Sequence, residues 1–459
     1  MAEYPFEPFR IKVVEPLRLT TREERARILE EAGYNVFAIK AQDILIDLLT
    51  DSGTTAMSDR QWAGIMMGDE SYAGCRNFYH LQDVQREIFG MEYFVPTHQG
   101  RPAETMLLDL TMKPGDVVPN NMHFDSTEGN ILVRGGRALN LAIDEAWQPT
   151  AQHLFKGNMD IGKLRRCIEE AGADKIPLVM MTVTNNTGAG QPVSMQNIRE
   201  TKAVCDEFGL PFWFDAARYA ENAYFIKLRE PGYADKTPLQ IAQEMFSYAD
   251  GFVMSSKKDG LVNIGGLFGC RDAELFERAS MLMILREGFL TYGGLAGRDL
   301  EALALGLMEG LEESYLAYRI GQTGYLGERL MEAGVPIVEP PGGHAVYVDT
   351  RRFLPDMPQS LFPGVALTSR LYLDYGIRAV ELGSLAFAHE DPETGEVKYP
   401  VLDLVRLTLP RRVYTQRHID YVADALIELH KNRGQIKGLR ITYQAPFMRH
   451  FTARLEPVE

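Results

Sequence analysis

The chain has 459 residues, with 48 Lys plus Arg against 63 Asp plus Glu, a formal net charge of −15. That acid excess disfavours binding to the phosphate backbone of nucleic acid and to an anionic membrane surface. Hydrophobic residues make up 45% and charged residues 24%, which excludes a disordered or fibrous chain, and a protein of this size buries about three quarters of its unfolded surface.

The N-terminal stretch MAEYPFEPFRIKVVEP holds acids and prolines and lacks the apolar run of a signal peptide. Its Tyr4, Phe6 and Phe9 mark residues 1–18 as an arm that packs on something else, such as a second subunit. Thr21 with Glu24 spells a capping box and Gly33 a stop, which predicts a helix between them. IDLLT (46–50) reads as a short strand running into the turn residues DSGT. From 93 to 270, short apolar runs alternate with helical stretches such as 196–208. The runs are YFVP, PLVMMTVT (177–184), PFWFD (211–215), GFVMS (251–255) and GGLFGC (265–270), and the pattern predicts an α/β unit around a buried, mainly parallel sheet. After about 310 the texture becomes α+β. HAVYVDT (344–350) and LVRLTLP (404–410) read as strands, and 418–431 reads as an amphipathic helix with Ile419, Val422, Leu426 and Leu429 on one face. EDPETGEVKYP (390–400) reads as a solvated hairpin or loop. Cys75, Cys167, Cys205 and Cys270 form no CxxC pair, so they are expected as small buried hydrophobes rather than disulfides or zinc ligands. The longest uncharged window, 176–198, is interrupted by polar residues and proline and cannot span a bilayer, and a cytoplasmic location is expected.

Four clusters carry chemistry. MSSKKDG (254–260) ends an apolar strand with two lysines, which suits Schiff-base formation by one of them or a plain charged loop. FDAAR (214–218) puts Asp215 at the end of an apolar strand, where it serves either a protonated pyridine nitrogen or the N-cap of the next helix. THQGRPAE (97–104) places a glycine and an arginine at a helix start, a phosphate-binding arrangement. Arg406 sits among apolar residues in LVRLTLP, fit for a substrate carboxylate or an inter-domain salt bridge. The order of strand-end Asp, strand-end Lys and C-terminal strand Arg matches the pyridoxal-phosphate enzymes of the aspartate aminotransferase type.

At these residues the sequence resembles a narrower family, the β-eliminating lyases comprising tyrosine phenol-lyase and tryptophanase. The stretches IDLLTDSGT, MMGDESYAG, PTHQGR, GQPVS, ENAYFIK, MSSKKD, TYGGLAGRD, GGHAV, VRLTLPRRVYT and RHFTARL carry the resemblance over nearly the whole chain. It implies pyridoxal-phosphate fold type I. A large domain (56–310) with a mainly parallel seven-stranded sheet would stand beside a small α+β domain (19–55 with 311–459). It further implies that Lys258 is the Schiff-base lysine and that Asp215, with Arg218 close by, partners the pyridine nitrogen. Gln99, Gly100, Arg101, Ser255 and Lys257 would cradle the phosphate, and Phe124 would stack on the ring. Thr50, Ser52, Asn186 and Arg406 would hold the amino-acid carboxylate, and Tyr72 would act as general acid across a dimer interface. Glu70 with the carbonyls of Gly53 and Asn263 would bind K⁺ or NH₄⁺ between subunits of a homo-oligomer, a homotetramer by the resemblance. Two departures stand out. Pro102 replaces the glycine of the family's QGRGAE and removes one amide from the phosphate helix, and GAGQP (188–192) replaces AGGQP.

The expected reaction is β-elimination of an aromatic L-amino acid to the free aromatic compound, pyruvate and ammonia. Leu382 stands where tyrosine phenol-lyases carry an arginine, Asp125 where they carry a threonine, and His450, next to Phe451, where they carry a phenylalanine. These pocket residues point to tryptophan. General similarity points to tyrosine, and a lyase for another β-substituted alanine or an aminotransferase are the alternatives.

Overall fold

The computed structural model describes residues 6–391, 394–445 and 448–458. Tyr4 of the arm and residues 392–393 of the expected hairpin lie outside them. Seven strands fill the region 93–270. Five are hydrogen-bonded in the order Tyr93–Thr97, Gly266–Cys270, Gly251–Ser255, Phe212–Asp215, Val179–Thr182. The last three run parallel, and Gly266–Cys270 is antiparallel to both its neighbours. Val117–Asn120 and Arg137–Asn140 form a separate parallel pair. The expected seven-stranded sheet is thus a ladder of five and a ladder of two. Side chains bridge the gap: Asn121 donates to the Thr182 carbonyl at 3.0 Å and accepts the Thr182 N–H at 2.9 Å. The central strands read as unbroken apolar runs because helices cover both faces, and Met180, Phe214 and Phe252 are fully buried. Gly251 makes room for an aromatic neighbour, since a Cβ there would lie 2.4 Å from the Trp213 ring.

The second body of structure has its own core, from Ile46 and Leu48 through Leu326 to Leu455. Its sheet is antiparallel, in the order Val380–Leu382, Leu404–Thr408, Ala345–Asp349. The strand expected over 46–50 is only Ile46–Asp47, paired with Ile377–Arg378. It ends early because side chains take the next amides: Asp47 accepts the Leu49 N–H and Thr50 accepts the Ser52 N–H, both at 3.1 Å. The closing helix is Gln416–Lys431 and buries the four expected apolar residues. The capping box at Thr21 and Glu24 starts the helix Arg22–Glu31. Short strands His389–Glu390 and Val397–Lys398 pair as the expected hairpin. In the arm, Phe9 packs edge-on against Tyr318 at 5.4 Å, while Phe6 is exposed. All four cysteines are free and buried. Among the described residues no helix is long and apolar enough to cross a membrane.

Candidate active site

The ends of the parallel strands open into a cavity of about 180 Å³. Crevices of this kind, beyond the carboxyl ends of strands, are where open α/β sheets bind ligands. The cavity gathers Thr50, Ser52, Asn186 and Arg406 with Gln99, Gly100, Arg101 and Phe124, and with Asp215, Arg218, Ser255, Lys257 and Lys258.

Asp215 ends its strand without capping the helix that follows. The first amides of that helix, Tyr219–Arg229, are taken by Asp259, whose Oδ2 accepts from Ala220 at 2.8 Å and Glu221 at 3.1 Å. Asp215 keeps one long contact with the Ala217 N–H, 3.4 Å, and otherwise faces the cavity. Burial raises its carboxyl, with Lys258 and Arg218 opposing. A cationic ring nitrogen would supply the partner that such a buried carboxylate needs. The Lys258 ammonium makes no hydrogen bond or ion pair among the described residues. Burial, with the Arg218 guanidinium, pushes it down to about 8, so about a tenth is neutral amine at pH 7 and the share grows steeply above it.

Helix Gly100–Thr111 starts at the cavity with no side-chain cap from Gln99. Its first-turn amides remain free for an anion, with Arg101 and Lys257 beside them. Pro102 falls in that first turn, where its missing N–H breaks no helical bond. Gly100 is required by close approach, since a Cβ would lie 2.7 Å from the Ser255 Cβ. A phosphate cradle, an unpaired lysine and a strand-end aspartate in one cavity fit pyridoxal phosphate. When bound, that cofactor supplies an electron sink for a carbanion at the substrate α-carbon.

At the other side of the cavity Arg406 donates to Asn186 Oδ1 at 3.0 Å and to the Leu49 carbonyl at 3.1 Å, and its buried Nε has no protein partner. Tyr347 donates to the same Asn186 oxygen at 3.0 Å. Beneath lies a network of three arginines and three carboxylates. Asp51 pairs with Arg218 and with Arg411, both at 2.8 Å, and Arg411 also reaches Glu221 and Asp259 at 2.8 Å. Arg319 joins it through Glu221 at 3.0 Å. Burial acts to raise the Asp51 carboxyl, but Arg218 and Arg411 outweigh it and hold it well below the usual carboxylate range.

Several expected residues lie outside this cavity. Asp125, His450 and Phe451 cluster nearby: His450 Nε2 is 3.9 Å from Asp125 Oδ2, and its ring is 4.0 Å from that of Phe451. Leu382 packs against an apolar group of Ala189, Val338, Ala345, Tyr347 and Leu404. Tyr72 is 69% exposed and lies on Phe289 and Tyr292. Gly53 and Asn263 adjoin, with the Asn263 amide donating to the Gly53 carbonyl at 3.0 Å. Glu70 is exposed, pairs with Arg298 at 2.7 Å, and contacts neither of them among the described residues.

Sequence reasoning missed Asp51, Glu104 and the Arg411 network. Glu104 lines the cavity, accepting from Thr127 and Asn130 at 2.7 Å each. Burial pushes it up to about 7, Thr127 opposing and Asp215 adding. Its signal in the sequence was a glutamate one turn into the phosphate helix.

Strand order and site together define a fold type I pyridoxal-phosphate architecture. A solved serine palmitoyltransferase from Sphingomonas wittichii shares the fold, with a TM-score of 0.59 at 11% identity, covering 90% of this chain and 97% of that one. The β-eliminating lyase family model matches residues 47–425, and the chain belongs to that family. It is 53% identical to the tyrosine phenol-lyase of Symbiobacterium sp. (strain SC-1), with 98% of each chain covered. It is 51% identical to the tryptophanase of Salinibacter ruber, covering 98% of this chain and 95% of that one.

Proposed function

We propose that the chain eliminates the side chain of an aromatic L-amino acid, with L-tryptophan preferred, to give indole, pyruvate and ammonia. The observations that carry the preference are apolar Leu382 in an apolar cluster and the His450–Asp125 pair, 3.9 Å apart. Leu382 offers indole a wall, while a phenol hydroxyl would lack an ionic partner there, a loss of about 2–4 kcal/mol in the transition state. Tyrosine is the second reading, favoured by the relative at 53% identity that bears the phenol-lyase name.

In this reading Arg406, Thr50, Ser52 and Asn186 hold the substrate carboxylate, and Gln99, Gly100, Arg101, Ser255 and Lys257 hold the cofactor phosphate. Phe124 would lie against the cofactor ring, and Asp215 would hold a proton on its nitrogen. The Lys258 amine takes the α-proton. Tyr72, Asp125 and His450 serve protonation of the leaving ring, and water completes the release of pyruvate and ammonia. Tyr72 reaches a neighbouring site across a dimer interface, and the exposure of Trp62, Met66, Met67 and Tyr72 supports an apolar contact there. We read 19–55 with 311–459 as the small domain and 56–310 as the large one, because two separate cores fall mainly on those ranges, with Leu311, Tyr315, Leu316 and Tyr318 packing into the larger core.

Glu70 of one subunit, with the Gly53 and Asn263 carbonyls, is the proposed site of K⁺ or NH₄⁺. Activity in K⁺ is expected to exceed that in tetramethylammonium by about tenfold or more, a metal-site effect of ordinary size, and equal activity in both would remove the cation. The substrate assignment is tested by pyruvate release from L-tryptophan, L-tyrosine and S-alkyl-cysteines.

A further inference from the structure

Behind the leaving-group residues lies a second cavity of about 20 Å³, lined by Asn35, Phe37, Thr368, Glu381, Leu385 and His450 among others. A single water molecule needs roughly 10–15 Å³. His450 Nδ1 is buried and has no protein partner. Burial lowers the imidazole below its usual value, with Asp125 opposing and Arg449 adding, so the ring is neutral at pH 7 and carries one proton. The Asp125 carboxylate faces Nε2 and draws that proton there. Nδ1 is left as an acceptor that needs a hydrogen.

Two of the polar groups around the cavity have none to give. The Asn35 amide donates to the carbonyls of His450 at 3.2 Å and Ala453 at 2.9 Å. The Thr368 hydroxyl donates to the Val365 carbonyl at 3.0 Å, keeping its lone pairs. Glu381 differs. Its carboxyl accepts the Leu385 N–H at 2.8 Å and the Ala386 N–H at 3.2 Å. Burial, with the Asp403 carboxylate, pushes it up to about 8 against those amides, so it holds a proton at neutral pH. Arg449, bonded to the carbonyls of Ser384, Leu385 and Ala388, is the cation near both groups.

We propose that this cavity holds one ordered water that accepts from Glu381 and donates to His450 Nδ1 and Thr368 Oγ1. Glu381 is then the positioning residue that keeps the His450 proton on Nε2, on the Asp125 side. Three hydrogen bonds are what a buried water ordinarily makes, and the bond at one imidazole nitrogen fixes the tautomer at the other. The inference rests on the reading that His450 serves the aromatic leaving group.

A crystal structure of the holoenzyme at a resolution that orders waters is the first test. It should show a water within hydrogen-bond distance of both Glu381 and His450 Nδ1, and a dry cavity, or a water on only one of them, overturns the proposal. The second test compares Glu381→Gln, whose amide can still donate to the water, with Glu381→Met, which cannot. The ratio of kcat/KM for tryptophan to that for S-methyl-cysteine should fall about tenfold or more in Glu381→Met, an outer-shell effect, and stay near the parent in Glu381→Gln. An unchanged ratio in Glu381→Met, or an equal loss in both variants, overturns it. If tryptophan proves not to be the substrate, the crystallographic result still decides the water site, so the two failures are distinguishable.

Discussion

At the cofactor end of the cavity, Asp215 and Ser255 end adjacent strands of one sheet, and Lys258 follows three residues later. At the proposed leaving-group end, outside that cavity, Asp125, Leu382 and His450 come from a helix start, a short edge strand and a single helical turn near the C-terminus. The first set is held by a continuous buried ladder, and the second by packing between segments far apart in the chain. Under the proposed function the sheet-built end would serve the chemistry common to a tyrosine phenol-lyase at 53% identity and a tryptophanase at 51%, and the assembled end would set the leaving group.

Changes at the cofactor end should therefore abolish turnover of every substrate alike. Lys258→Ala removes the amine proposed to link the cofactor and move the α-proton, and activity is expected to fall by about 10⁴-fold or more. Borohydride reduction and peptide mapping should place the cofactor on Lys258 in the parent, and a label on Lys257 would contradict the assignment. Asp215→Asn should still bind cofactor yet lose about a thousandfold, roughly 4 kcal/mol at 1.36 kcal/mol per tenfold. A loss under tenfold would remove its electrostatic role. At the other end the expected change is in preference. Leu382→Arg should move the ratio of tyrosine to tryptophan kcat/KM toward tyrosine by at least about tenfold, less than the full effect of a preorganised cation. An unmoved ratio would mean that Leu382 does not face the leaving group.

The smallest effect concerns stability. Glu104 is raised to about 7 in the folded chain from an ordinary 4.5, so the folded state binds more protons across that interval. Its stabilising contribution is complete below pH 4.5 and declines as pH rises through 7. Glu104→Gln should flatten that decline, with a relative gain of about 1–3 kcal/mol at pH 8 over pH 5. Urea unfolding at the two pH values measures it, and parallel curves for parent and variant would show that Glu104 is ionised throughout.

The cofactor end was legible in the sequence because each part is a local pattern: an apolar run, then a polar residue at its end. The two readings left open for Asp215 are separated by Asp259, which caps the helix in its place. Asp259 could not be read that way, because its partners on the helix lie 38 and 39 residues away and have no periodic relation to it. Arg411 was missed for the same reason, with partners 152, 190 and 360 residues distant in sequence. The five apolar runs are the five strands of the larger ladder, while the seven-stranded sheet came from the resemblance, which does not say which backbone groups pair. At 117–121 the asparagine side chains take over the bonding. At the leaving-group end, the departures at Asp125, Leu382 and His450 were visible one by one. That Asp125 and His450 adjoin, and that Glu381 lies behind them, depends on packing alone.

Substrate choice is the property that steady-state competition measures most directly. Pyruvate release by the holoenzyme in K⁺, with indole and phenol quantified from an equimolar mixture of L-tryptophan and L-tyrosine, gives the ratio of the two kcat/KM values. Indole in excess of phenol is the expected result. Phenol formed at least as fast as indole would contradict it.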